Sequence, residues 1–170
     1  MVYRVLIIDN DQKVRTDIYA ALERANRIHK DVHNTKENKF VPYTAASANS
    51  AEAKVGLALF NDWQIGDEVY VLQDIIMNEG SEEGLREITA WDSLTKSGEK
   101  LEGRLSGLIV YSSVANAVSD RPEVTEVRNF PVFICNKRLT MGSYGPKAVE
   151  LIESVIHNEA EAVNPKISSF

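Results

Sequence analysis

"VLIIDNDQ", Val5–Gln12, carries two readings at once. Four apolar residues form a strand-like run with no polar interruption, as in a strand buried on both faces. The run then meets Asp9, Asn10 and Asp11. One reading is helix capping, in which a turn follows the strand and acidic side chains receive the first N–H groups of a helix. The other is a cation or phosphoryl site at the carboxyl end of the strand.

From Asp11 onward the period changes from strand to helix, with Val14, Ile18, Leu22 and Ala25 on one face. Arg27–Asn38 is polar and aperiodic and predicts a loop. Phe40–Ala46 predicts a strand, and Pro42 assigns it to an edge or an end. A second helical pattern begins at Ser50 and carries Ala53, Leu57, Phe60 and Trp63. Val69–Leu72 predicts a third strand ending at Gln73 and Asp74. Asn78–Gly84 leads into a helix bearing Leu85, Ile88 and Leu94. Gly107–Tyr111 predicts a fourth strand, ending in Ser112 and Ser113. Val114–Asn129 is weakly patterned, and Pro122 limits it to short helix. Phe130–Cys135 predicts a fifth strand that delivers Asn136 and Lys137. Ala148, Val149, Ile152 and Ile156 mark a last helix. Strands alternating with helices predict right-handed βαβ units, hence an α/β fold: a five-stranded parallel sheet with helices on both faces, doubly wound and flavodoxin-like. The expected organisation is one domain over residues 1–158 and a frayed tail over 159–170.

Composition narrows the function. With 44% hydrophobic and 26% charged residues the chain is that of a globular protein. A net charge of −6 disfavours a dedicated nucleic-acid binder. No apolar run reaches the ~18 residues of a membrane span. One cysteine, Cys135, permits no internal disulfide, and no signal peptide precedes Asp9, so a cytoplasmic protein is expected. Cys135 itself reads as a small core hydrophobe. His29, His33 and His157 show no convergent spacing, so no metal ligation is expected of them, and His29 and His33, in the polar loop, are expected to be solvated.

In a doubly wound sheet, sites form beyond the carboxyl ends of the strands. The predicted strands bring Asp9, Asn10 and Asp11, then Asp74, Ser112 and Lys137, to that edge. Converging carboxylates repel one another unless a cation joins them, and Mg²⁺ takes one or two carboxylates plus waters. A lysine and a hydroxyl across the same mouth suit the oxygens of a transferred phosphoryl group.

Over nearly its whole length the chain resembles the receiver domain of two-component response regulators. "VLIIDND" resembles the first strand and acidic pair of that family. "YVLQDIIM" followed by "EGLREI" resembles the strand with the phosphoacceptor aspartate and the helix after it. "LIVYSS" resembles the strand ending in a switch hydroxyl, and "VFICNK" the strand with the active-site lysine. The resemblance implies that Asp74 accepts the phosphoryl group, that Asp9, Asn10 and Asp74 hold Mg²⁺, and that Ser112 and Lys137 contact phosphoryl oxygens. It implies a histidine kinase or histidine phosphotransfer protein upstream and a protein target downstream, and it allows a homodimer. The chain departs from the family pattern at Asn10, where Asp is usual, at Asn78 and Arg138, where proline is common, and at Ile134, the aromatic switch position.

Two other readings stay open. A receiver-like fold can serve as a protein-interaction module without phosphorylation. Asp9-Asn10-Asp11 also fits the acidic motif of haloacid-dehalogenase-type phosphatases, in which Asp9 would be the nucleophile, although no Asp follows Lys137.

Overall fold

The structure is a computed structural model that describes residues 1–47, 61–76 and 82–164. Five strands form one parallel sheet: β1 (Tyr3–Ile8), β2 (Phe40–Ala45), β3 (Glu68–Gln73), β4 (Gly107–Ser112) and β5 (Val132–Asn136). Their order is β2-β1-β3-β4-β5, the doubly wound, flavodoxin-like arrangement and the strand order of the receiver fold. β2 is an edge strand, where Pro42 and its missing donor can be tolerated.

Strand periodicity divides the core in two. Leu6, Ile8, Val69, Val71, Leu108, Val110 and Val132 point to one face. Val5, Ile7, Tyr70, Leu72, Ile109, Tyr111 and Phe133 point to the other. Both faces are covered, so every interior strand reads as continuously apolar, as parallel sheets require.

Among the described residues, α1 (Gln12–His33) and α5 (Tyr144–Ile156) cover the second face. They pack closely because Gly145 lacks a side chain: a Cβ there would lie 2.3 Å from the Asp17 carbonyl oxygen. On the first face lies α2 (Glu83–Thr95), with two single-turn helices beyond β4, α3 (Ala115–Val118) and α4 (Pro122–Thr125). The helix expected from Ser50, and Asn78 in the loop ahead of α2, fall largely or wholly outside the described residues.

Two sequence expectations are corrected. Arg27–His33 is not loop; α1, 22 residues long, continues through it and is capped by Asn34, whose left-handed backbone (φ 48°) sends its N–H to the Lys30 carbonyl. Beyond Asn26 this helix buries no side chain, so its residues carry no apolar period for sequence reading to detect. The tail is not frayed throughout. Val163 N–H donates to the Val132 carbonyl at 2.8 Å. Asn164 is fully buried; its oxygen accepts the Val132 N–H at 2.8 Å, and its amide donates to the Val127 and Phe130 carbonyls. One polar side chain thus satisfies three backbone groups at the start of β5, and the packed body extends through residue 164.

Candidate functional site

The two aspartates of the opening stretch divide: one caps α1 and the other is buried. Asp11 is the N-cap of α1: its carboxylate accepts the Lys13 N–H at 2.9 Å. Asp9 points inward and is 2% exposed. Its Oδ1 accepts the Asp11 N–H at 2.8 Å, and its backbone N–H continues the ladder to Ala45. Arg15, on the first turn and a half of α1, donates to the Asp9 carbonyl. The same turn therefore caps the helix with one carboxylate and buries the other. Asn10, between them, is exposed.

Asp74 directly follows β3 and is 4% exposed. Its N–H bonds the Ile8 carbonyl at 2.9 Å, which extends the β1–β3 pairing, and its Oδ1 accepts the Ile75 N–H at 2.8 Å. The backbone here is clamped by α2. Gly84 N–H donates to the Ile75 carbonyl at 3.0 Å, and a Cβ on Gly84 would lie 2.2 Å from the Asp74 carbonyl oxygen. Gln73, fully buried, donates to the Asp74 carbonyl and to the Glu87 carboxylate. Gly84, Gln73 and Glu87 hold the Asp74 backbone, and sequence reading missed that role because it depends on how α2 seats on β3.

Lys137 opens the 3₁₀ turn Lys137–Thr140 directly after β5. The turn is capped by Asn136, which accepts the Arg138 N–H, and Thr140 donates to the Lys137 carbonyl at 2.6 Å. From there the ammonium reaches Asp9 Oδ2 at 2.6 Å and Asp74 Oδ2 at 3.4 Å. Three strand ends, the first and last of them 128 residues apart in the chain, deliver two carboxylates and one lysine to a single buried point.

The charges do not balance. Burial, then the neighbouring Asp74 carboxylate, push the Asp9 carboxyl up to about 6, against the pull of Lys137 and the Asp11 N–H. For Lys137, burial alone would weaken the ammonium, but Asp74 and Asp9 outweigh it and hold its pKa above the ordinary value.

Ser112, the last residue of β4, is fully buried and accepts the Val114 N–H at 3.4 Å. No hydrogen bond among the described residues joins it to Asp74 or Lys137. The structure thus brings together Asp9, Asp74 and Lys137, sets Ser112 at the neighbouring strand end, and leaves Asn10 exposed in the turn directly after Asp9.

Among the described residues no three His, Cys, Asp or Glu side chains are grouped to hold a metal. Asp9 and Asp74 alone still fit a hard cation, since each already turns one oxygen to the same positive charge, the Lys137 ammonium. Two carboxylates completed by waters are a donor set that Mg²⁺ accepts. No helix among the described residues is long and apolar enough to cross a membrane. In comparisons with known proteins, no family model, no curated protein and no solved structure matches this chain.

Proposed function

We propose that the chain is a single-domain response regulator of the cytoplasm, accepting a phosphoryl group on Asp74. The reading rests on one observation: Asp9, Asp74 and Lys137 meet at the carboxyl edge of the sheet with Lys137 bridging both carboxylates. Asp74 supplies the nucleophilic oxygen. Its Oδ2 attacks phosphorus, the bond from phosphorus to the donor's leaving group breaks, and an aspartyl phosphate remains. Lys137 then pairs with a phosphoryl oxygen in place of a carboxylate. Ser112, at the end of β4, is the hydroxyl nearest in the topology to receive another oxygen. Mg²⁺, when held by Asp9, Asp74 and the Asn10 amide oxygen, would neutralise the charge gathering on the phosphoryl group. A histidine kinase or histidine phosphotransfer protein would be the donor, and a protein target would read the modified surface.

A second reading is favoured by the depth of Asp74. At 4% exposure and tied to Lys137, it suits a receiver-like interaction module that is never phosphorylated. Acetyl phosphate with Mg²⁺, followed by intact mass, separates the readings. Addition of one phosphoryl group, abolished by Asp74→Asn, supports the response regulator. No addition under conditions that label a known receiver supports the interaction module. Labelling that survives Asp74→Asn and is lost in Asp9→Asn supports a phosphatase with Asp9 as nucleophile.

A further inference from the structure

The corrected course of α1 changes what two of the three histidines can do. His29 and His33 belong to the last two turns of that helix, four residues apart. Residues at this spacing lie on one face, one turn above the other. Their ring centroids lie 4.6 Å apart, with the planes tilted by 47° to one another. His29 is half-buried and His33 exposed, so the pair opens to solvent.

That separation matches a chelate. A metal bonded to one nitrogen of each ring at about 2.0–2.1 Å would hold the ring centres roughly 4.5–5 Å apart. The same spacing puts both histidines of zinc-binding H-E-x-x-H helices on one face. Location adds a second argument. The pair sits at the carboxyl end of a 22-residue helix, where the helix dipole favours positive charge.

We infer that His29 and His33 form a two-imidazole site for a borderline first-row divalent ion such as Zn²⁺, Ni²⁺ or Cu²⁺, with its other positions filled by water. Imidazole is the ligand type for these ions, whereas Mg²⁺ prefers oxygen. The site is independent of the Asp74 reading. It uses the far end of α1 from Asp9, and its loss leaves the carboxylate pair intact. The third histidine is engaged elsewhere: His157 Nε2 lies 3.3 Å from Glu153 at the end of α5.

The test is calorimetric titration of the full chain with ZnCl₂ in a non-chelating buffer containing excess Mg²⁺, which occupies any carboxylate site. One equivalent should bind. His29→Ala and His33→Ala should each weaken binding at least tenfold, and His157→Ala should leave it unchanged. The double variant Asp31→His with His33→Ala keeps three histidines but sets the pair two residues apart on the helix. It should bind as weakly as the single variants. In the unaltered protein, Zn²⁺ should shift the ring NMR signals of His29 and His33 and leave those of His157 in place. Equal affinity in the double variant, or shifts confined to His157, would overturn the site.

Discussion

Two ends of one sheet each bury charge, and they do so differently. At the amino end, Arg4 of β1 and Asp67 just before β3 form a pair at 3.0 Å. The Arg4 guanidinium also donates to the Tyr43 hydroxyl at 2.8 Å and the Asp62 carbonyl at 2.9 Å. Asp67 also accepts the N–H groups of Val2 and Gln64. One positive charge meets one negative, and nearly every donor and acceptor has a partner. Burial alone would raise the Asp67 carboxyl, but those N–H groups and Arg4 outweigh it and bring it below the ordinary value. At the carboxyl end, Lys137 faces two carboxylates, and Asp9 is pushed the other way, up to about 6. A balanced buried cluster holds the fold. An unbalanced one stores a deficit of positive charge that a bound cation can relieve.

The largest expected effect lies at the balanced end. Asp67→Asn leaves the buried Arg4 guanidinium without its counter-charge, and removing one partner of such a pair costs about 3–5 kcal/mol. Urea unfolding monitored by tryptophan fluorescence measures it; a loss under 1 kcal/mol would mean that the two ends do not differ in the way described.

The matching change at the other end should have the opposite sign. A carboxyl whose folded pKa is raised binds its proton more tightly folded than unfolded. Asp9 therefore contributes most below pH 3.8, and that contribution is lost as pH rises through about 6. A shift of about two units corresponds to roughly 3 kcal/mol. Asp9→Asn removes the penalty but weakens the bond to Lys137, so we expect a net gain of about 1–2 kcal/mol at pH 7. In metal-free buffer the gain over the unaltered protein should shrink steadily between pH 6 and pH 4. Added Mg²⁺ should narrow the same difference at pH 7, because it stabilises only the chain that keeps both carboxylates.

Gly84→Ala tests how firmly α2 holds the Asp74 backbone. The new Cβ meets backbone atoms at 2.2 and 2.5 Å, so the helix must shift, at a cost of about 1–3 kcal/mol. Phosphoryl uptake by Asp74 should fall with it. In Gly145→Ala the clash is with Asp17 of α1, so a similar loss of stability should leave uptake unchanged. Equal losses of uptake in both would remove the special role of Gly84.

The smallest effect on stability is expected for Asn10→Asp. Asn10 is exposed, and surface changes stay within about 0.5 kcal/mol. It adds a third carboxylate beside the unbalanced pair, so Mg²⁺ binding should tighten several-fold by calorimetry. Unchanged affinity would place position 10 away from the cation.

Much of this molecule was determined by sequence alone. Five apolar runs separated by helical periods required a parallel sheet, because only a sheet covered on both faces accepts strands apolar throughout. The carboxyl ends of those runs named Asp9, Asp74, Ser112 and Lys137, since side chains at strand ends need no tertiary knowledge to be located along the chain. Tertiary structure decided the rest. Whether Asp9 or Asp11 enters the site depends on which one the first turn of α1 takes as its cap. Lys137 joins both carboxylates only because β5 and β1 are placed across β3 and β4, a relation that no local pattern encodes. Arg27–His33 continues as helix without burying a side chain, carried forward by hydrogen bonds from the packed part of α1, so no apolar stripe announced it. Asn164 docks because the start of β5 leaves backbone groups to satisfy, a demand visible only once the strand is in place.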